Sequence, residues 1–237
     1  MIGNNYTDYS TARSWPSAAE INSSMVRVYN HMASGVFISG ATAWLIAQSP
    51  ALMATLFKTW LVWPVMLLPL AFVLIMSFGA GKLGAKTLGV LFYAYSIASG
   101  ASLATVFAIY TGGSVFTAFF ISSALFLTMS VYGYFTKRSL ASLGQFLFIG
   151  LIGIVIAGVV NIFLQNSMMQ MVISALAVII FTGLTAYDTQ QIREQLRFGE
   201  SESGKVEILG ALTLYLDFIN IFINLLQLLG GKKDDQR

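Results

Sequence analysis

"LTLYLDFINIFINLL", residues 212–226, is an apolar helical run with an aspartate, Asp217, near its middle. Fifteen residues of this kind belong either to the core of a soluble domain or to a bilayer span, and composition decides between them. Only 10% of the 237 residues are charged and 57% are hydrophobic, with a mean hydropathy of +0.75. A soluble domain carries about 25% charged residues, so the chain belongs in lipid and the bilayer is its first partner.

Working outward from this run, apolar stretches able to cross a bilayer fall at about 32–47, 60–78, 87–110, 115–134, 143–164, 168–187 and 208–229. A span needs roughly 20 residues, which gives seven helices, the first being the shortest. "FIGLIGIVIAGVV" does not alternate as a barrel strand must. The fold class is therefore all-α, a polytopic membrane protein with seven transmembrane helices. Residues 1–30 read as a polar arm, 31–230 as the membrane domain and 231–237 as a short charged tail. The arm has no apolar h-region of a cleavable signal.

No cysteine is present, which excludes disulfides, thiolate metal sites and thiol nucleophiles. The net charge of +3 does not point to nucleic acid, because the basic residues are dispersed among loops. They report topology instead. With the N-terminus cytoplasmic, nine of them (Arg13, Arg27, Lys82, Lys86, Lys137, Arg138, Arg193, Arg197 and Lys205) lie inside, and four (Lys58, Lys232, Lys233 and Arg237) lie outside. Trp44, Trp60 and Trp63 then gather at the outer interface. The charged tail "GGKKDDQR" fits an outer position poorly, so a last segment that dips in and returns stands beside seven full spans.

Asp188, in "TAYDTQQ", and Asp217 read as the acids set in or against apolar runs. Their midpoint, 202.5, falls within "GESESG". If the sixth helix continues through "TQQIREQLRF" and turns at 199–204, an antiparallel seventh helix brings Asp217 level with Asp188, both roughly 15–20 Å from the turn. Thr213, Asp217, Asn220, Asn224 and Gln227 form a polar stripe on one helix, and Thr182, Thr185, Asp188 and Gln191 on the other. An ionised carboxylate at mid-bilayer costs about 2.5–3.5 kcal/mol on insertion scales. Two that touch share a proton, and when both are ionised they can hold a hard cation such as Ca²⁺ weakly and transiently. Asp188 and Asp217 are thus the candidate pH-sensing and ion-binding residues, supported by Thr185, Thr213, Asn220 and Asn224. The competing reading is interhelical hydrogen bonding alone.

Four stretches, "VYGYFTKRSLASLG", "IGIVIAGVVNIFL", "GLTAYDTQQI" and "ALTLYLDFINIFINLLQLLG", resemble the Bax inhibitor-1 family in its bacterial branch. The resemblance implies six helices around a central seventh and a pH-sensitive Ca²⁺ leak governed by two paired aspartates, by position Asp188 and Asp217. It also implies a bacterial inner-membrane location and, as an alternative function, a non-conducting regulator of an FtsH-type membrane protease or another membrane partner; the polar arm then reads as a tag that such a protease or partner could grip. No cofactor is implied beyond Ca²⁺ as permeant ion. Two departures stand out. Ser139 follows "TKR" where the family commonly has Asp, and "WLVWPVMLLPLAFVLIMSF" lacks the Arg and Glu that some channel-like relatives place in or near the second helix.

Other signals weigh less. Two membrane aspartates also suit a presenilin-type protease, but "LYLD" lacks that family's glycines and no proline follows Pro69, so the chain is not read as an enzyme. "GAGKLG" at 79–84 follows no strand and reads as a turn. His31 reads as an interfacial residue, "MMQM" as packing, and Pro64 and Pro69 as absorbed kinks.

Overall fold

The computed structural model describes residues 15–198, 202–231 and 233. Its elements are all helical: α1 (Ala18–Ala47), α2 (Pro50–Phe57), α3 (Val62–Gly79), α4 (Ala85–Ile109), α5 (Gly112–Phe135), α6 (Ala141–Leu164), α7 (Ser167–Phe198) and α8 (Ser203–Leu229). The six helices α3 to α8 are each long and apolar enough to cross a membrane, and α1 with α2, bent by 102°, makes a seventh on the same measure.

The polar arm ends earlier than its composition suggests, because α1 already begins at Ala18. Ser17 and Glu20 form a capping box, with the Ser17 hydroxyl accepting from the Glu20 amide and the Glu20 carboxylate accepting from the Ser17 amide. Ser24, Met25 and Val28 are buried against the bundle, so packing as well as capping holds this stretch helical. The first fourteen residues lie outside the described region.

Helix α2 lies between the first two apolar runs read from the sequence. Ser49 caps it by accepting from the Leu52 amide at 3.3 Å, and Pro50 opens its first turn, where a missing N–H costs nothing. Trp44, Trp60 and Trp63 around it are all exposed, as rings at a membrane interface are.

Pro69 stands inside α3 and cannot donate to the carbonyl of Val65 four residues earlier. Ser102 on α4 donates its hydroxyl to that oxygen at 2.6 Å. The helix therefore runs on through the proline, with its freed acceptor satisfied by a neighbour.

Helix α8 is the axis of the bundle, and it buries Leu214, Tyr215, Asp217, Phe218 and Ile221 among others. It packs directly on α1, α4, α5 and α7, while α3 lies behind α4 and α6 behind α7. Gly100 lets α4 approach α1, since a Cβ there would sit 2.5 Å from the Ser39 carbonyl oxygen. Gly133 does the same for α5 against the Ala186 backbone of α7.

No dip and return occurs between Ser203 and Leu229, which form one helix of 27 residues, about 40 Å long. Beyond it, Gly231 accepts from the Thr111 amide at 3.2 Å and Lys233 Nζ donates to the Phe107 carbonyl at 2.7 Å. The chain after α8 thus lies by the α4–α5 turn. The start of α1, beside Leu196 and Ser203, is at the opposite end of the bundle.

Candidate functional site

Helices α7 and α8 form an antiparallel hairpin. Asp188 and Asp217 are neighbours across it, close enough for their carboxyl groups to influence each other. Asp217 is 3% exposed, whereas Asp188 is half-buried. Among the described residues, Asp217 Oδ2 is a buried oxygen with no donor. A carboxylate in that position lacks compensation for its lost water, and a proton held between the two acids is the donor the pair can supply itself.

Next to Asp188, Thr189 is buried and hydrogen-bonded through its hydroxyl to Ser130 of α5 at 3.1 Å. Tyr29 of α1 donates to the same serine at 3.3 Å. A string of hydroxyls therefore links α7, α5 and α1 at this level. The close approach at Gly133 sets α5 near enough to α7 for it to form.

The expected polar stripe is present in sequence but mostly turns inward on its own helix. Thr185 donates to the Phe181 carbonyl at 2.8 Å, Thr213 to Leu209 at 3.1 Å, Asn220 to Leu216 at 2.8 Å and Asn224 to Asn220 at 2.8 Å. None of these bonds reaches either aspartate. Gln227 is the member that crosses, accepting from Gln170 Nε2 at 2.8 Å and from Ser174 Oγ at 2.7 Å on α7.

Two features were missed by reading along the sequence. Glu207 borders the last apolar run as closely as any acid, and it is buried. Arg27 reaches it from α1 with Nε at 2.9 Å and Nη2 at 2.7 Å. An arginine in the polar lead of the first span and an acid at the mouth of the last were the visible signal. The second feature is Tyr215, whose hydroxyl meets Ser39 Oγ at 2.7 Å and donates to Ser99 Oγ at 2.8 Å. It joins α1, α4 and α8 on the face of α8 away from Asp217.

Among the described residues no three His, Asp or Glu side chains are grouped to hold a metal ion. The aspartates could give a hard cation two carboxylates and no third acidic ligand, which suits brief occupancy better than storage.

The family described as "Inhibitor of apoptosis-promoting Bax1" matches residues 21–234. The chain belongs to the Bax inhibitor-1 family. Its relatives include the inner membrane protein YbhL of Escherichia coli, 39% identical over 221 residues that cover 91% of this chain and 94% of YbhL. The uncharacterized protein RP147 of Rickettsia prowazekii is 39% identical over 212 residues, 89% of this chain and 90% of RP147. An uncharacterized protein of Borreliella burgdorferi is 37% identical over 218 residues, covering 90% and 94% of the two chains. As a Bax inhibitor-1 protein with these spans, the chain is an integral membrane protein.

Proposed function

We propose that this Bax inhibitor-1 protein is a pH-sensitive cation leak of the bacterial inner membrane, N-terminus cytoplasmic, with Ca²⁺ as permeant ion and Asp188 and Asp217 as its latch. The observation that carries the reading is the closeness of the two carboxyl groups at a place where one of them is buried and lacks a donor. With one shared proton the pair bridges α7 and α8. Losing that proton leaves two like charges side by side, and gaining a second leaves two neutral acids, so each step changes how the hairpin packs.

Cation passage is favoured over storage because two carboxylates hold Ca²⁺ weakly. The charge missing from α3 has a counterpart elsewhere, in Arg27 and Glu207 at the α1–α8 contact. A polar cavity of about 300 Å³ beside them, lined by Glu20, Ser23, Ser24 and Ser203, supports an ion entry at that end.

The test is Ca²⁺ entry into liposomes holding the purified protein, at about pH 6 and about pH 8, on either side of neutrality, with Asp217→Asn in parallel. Flux that depends on pH, together with loss of that dependence in the variant, is the expected result. No flux above empty liposomes from folded protein would overturn the leak. Partner capture that disappears when residues 1–14 are removed would then favour a regulator of an FtsH-type protease.

A further inference from the structure

Helices α1 and α5 both flank α8, and between them runs an apolar groove made of two cavities, of about 260 Å³ and about 560 Å³. Val36, Gly40, Phe119 and Phe218 line both cavities, so the two lie side by side along the same groove. The floor is Phe218, on the central helix and only 4% exposed, and the rim carries Phe37 and Leu127, both well exposed.

The groove is stitched shut at each end and open along its side. At one end Tyr29 donates to Ser130, and the Tyr134 hydroxyl donates to the Asn22 side chain. At the other, Gly231 bonds Thr111 and Ser114, and Lys233 bonds the carbonyl of Phe107, a lining residue. What fills the groove must therefore enter sideways, between two helices at hydrocarbon depth.

We infer that the α1–α5 groove binds an acyl chain of a membrane phospholipid, laid along α8 against Phe218. Water does not fill so apolar a space, and an unfilled one forfeits dispersion contacts on every wall. A partner's transmembrane helix, about 10 Å across, cannot lie between α1 and α5 while the hydrogen bonds at both ends of the groove hold its walls in place. A single hydrocarbon chain fits, and lipid is present at solvent concentration.

The experiment uses the full chain in liposomes containing a phospholipid with a photoactivatable diazirine at mid-chain, followed by irradiation and mapping of adducts on peptides. Three positions are compared: Phe218 on the groove floor, Ile221 on the same helix but fully buried, and Ile149 on the outer face of α6. Adducts on Phe218 well above those on Ile221 are expected. The plugs Gly40→Phe and Ser123→Phe, at an exposed and a half-buried groove position, should each abolish the Phe218 adducts and leave those on Ile149 unchanged. A Cβ at Gly40 meets nothing within 4 Å, and Ile221, fully buried, staying unlabelled in each variant reports that the bundle is intact. Phe218 labelled no more than Ile221 in the unmodified chain, or labelling that survives both plugs, would overturn the inference.

Discussion

Arg27 of α1 and Glu207 of α8, far apart in sequence, meet through two hydrogen bonds of 2.9 and 2.7 Å at the end of the bundle where α8 begins. The acid is buried and the guanidinium half exposed, so the two partners are not equivalent. Arg27→Met strands a buried carboxylate and should cost about 1.5–3 kcal/mol. Arg27→Met combined with Glu207→Leu removes the stranded charge and should recover much of that loss. Thermal melts of the two variants in one detergent would compare them directly, and equal stability of single and double variants would count against a buried charge as the cause.

The Asp188→Asn, Asp217→Asn double variant should fold, since one amide can donate to the other's carbonyl across the same gap. Its melting temperature should lose the pH dependence that comes from the carboxyl pair in the parent protein. Melts taken between mildly acid and mildly alkaline pH would read this, and a pH profile identical to the parent's would show that the pair does not titrate there.

Ser102→Ala leaves the Val65 carbonyl of α3 without the donor that Pro69 cannot supply, and should destabilise by about 1–3 kcal/mol. Pro69→Ala in that background restores an N–H at the right place in the helix. The cycle should therefore show coupling between positions 69 and 102; additive effects on melting would mean that the serine does not compensate for the proline.

Gly133→Ala pushes a methyl group into the Ala186 backbone. Overpacking of this kind costs typically about 1–3 kcal/mol, and it moves α5 off α7 beside the Asp188–Asp217 pair. Gly40→Ala, with open space around it, should be near neutral by the same melt.

Glu20 accepts from the Ser17 amide and hydroxyl, which holds its carboxyl below the ordinary value of 4.5. A carboxyl lowered on folding stabilises the charged, capped form: its contribution is full above the ordinary value and is lost as pH falls through the lower folded one. Amide exchange in the first turn of α1 should therefore quicken below about pH 4.5 relative to a Glu20→Gln variant. If the two exchange alike at every pH, the carboxylate plays no part in the cap.

The seven apolar runs and the facing of Asp188 and Asp217 were legible because both depend on spacing within or about a single hairpin. The midpoint of the two aspartates, 202.5, fell at the start of α8, Ser203. The start of α1 had a signal that went unread, Ser17 and Glu20 three apart, because residues 1–30 were read by their polar composition alone. The fate of Asn220 and Asn224 was not legible: a spacing of four serves a stripe facing a neighbour and a side chain bonding back along its own helix equally well. Arg27 with Glu207 and Ser102 with Val65 are tertiary pairings between distant segments, and no local period announces them.

The unbroken run of α8 makes the distance from its first residue to Asp217 a gauge. One residue inserted between Ser203 and Asp217 would turn the aspartate by about 100° and lift it by about 1.5 Å, aiming it away from α7. The same residue inserted between 198 and 203 would enter the connection and leave the gauge untouched. Length changes within this family can therefore collect in the connection, while the fourteen steps from Ser203 to Asp217 are held fixed by geometry.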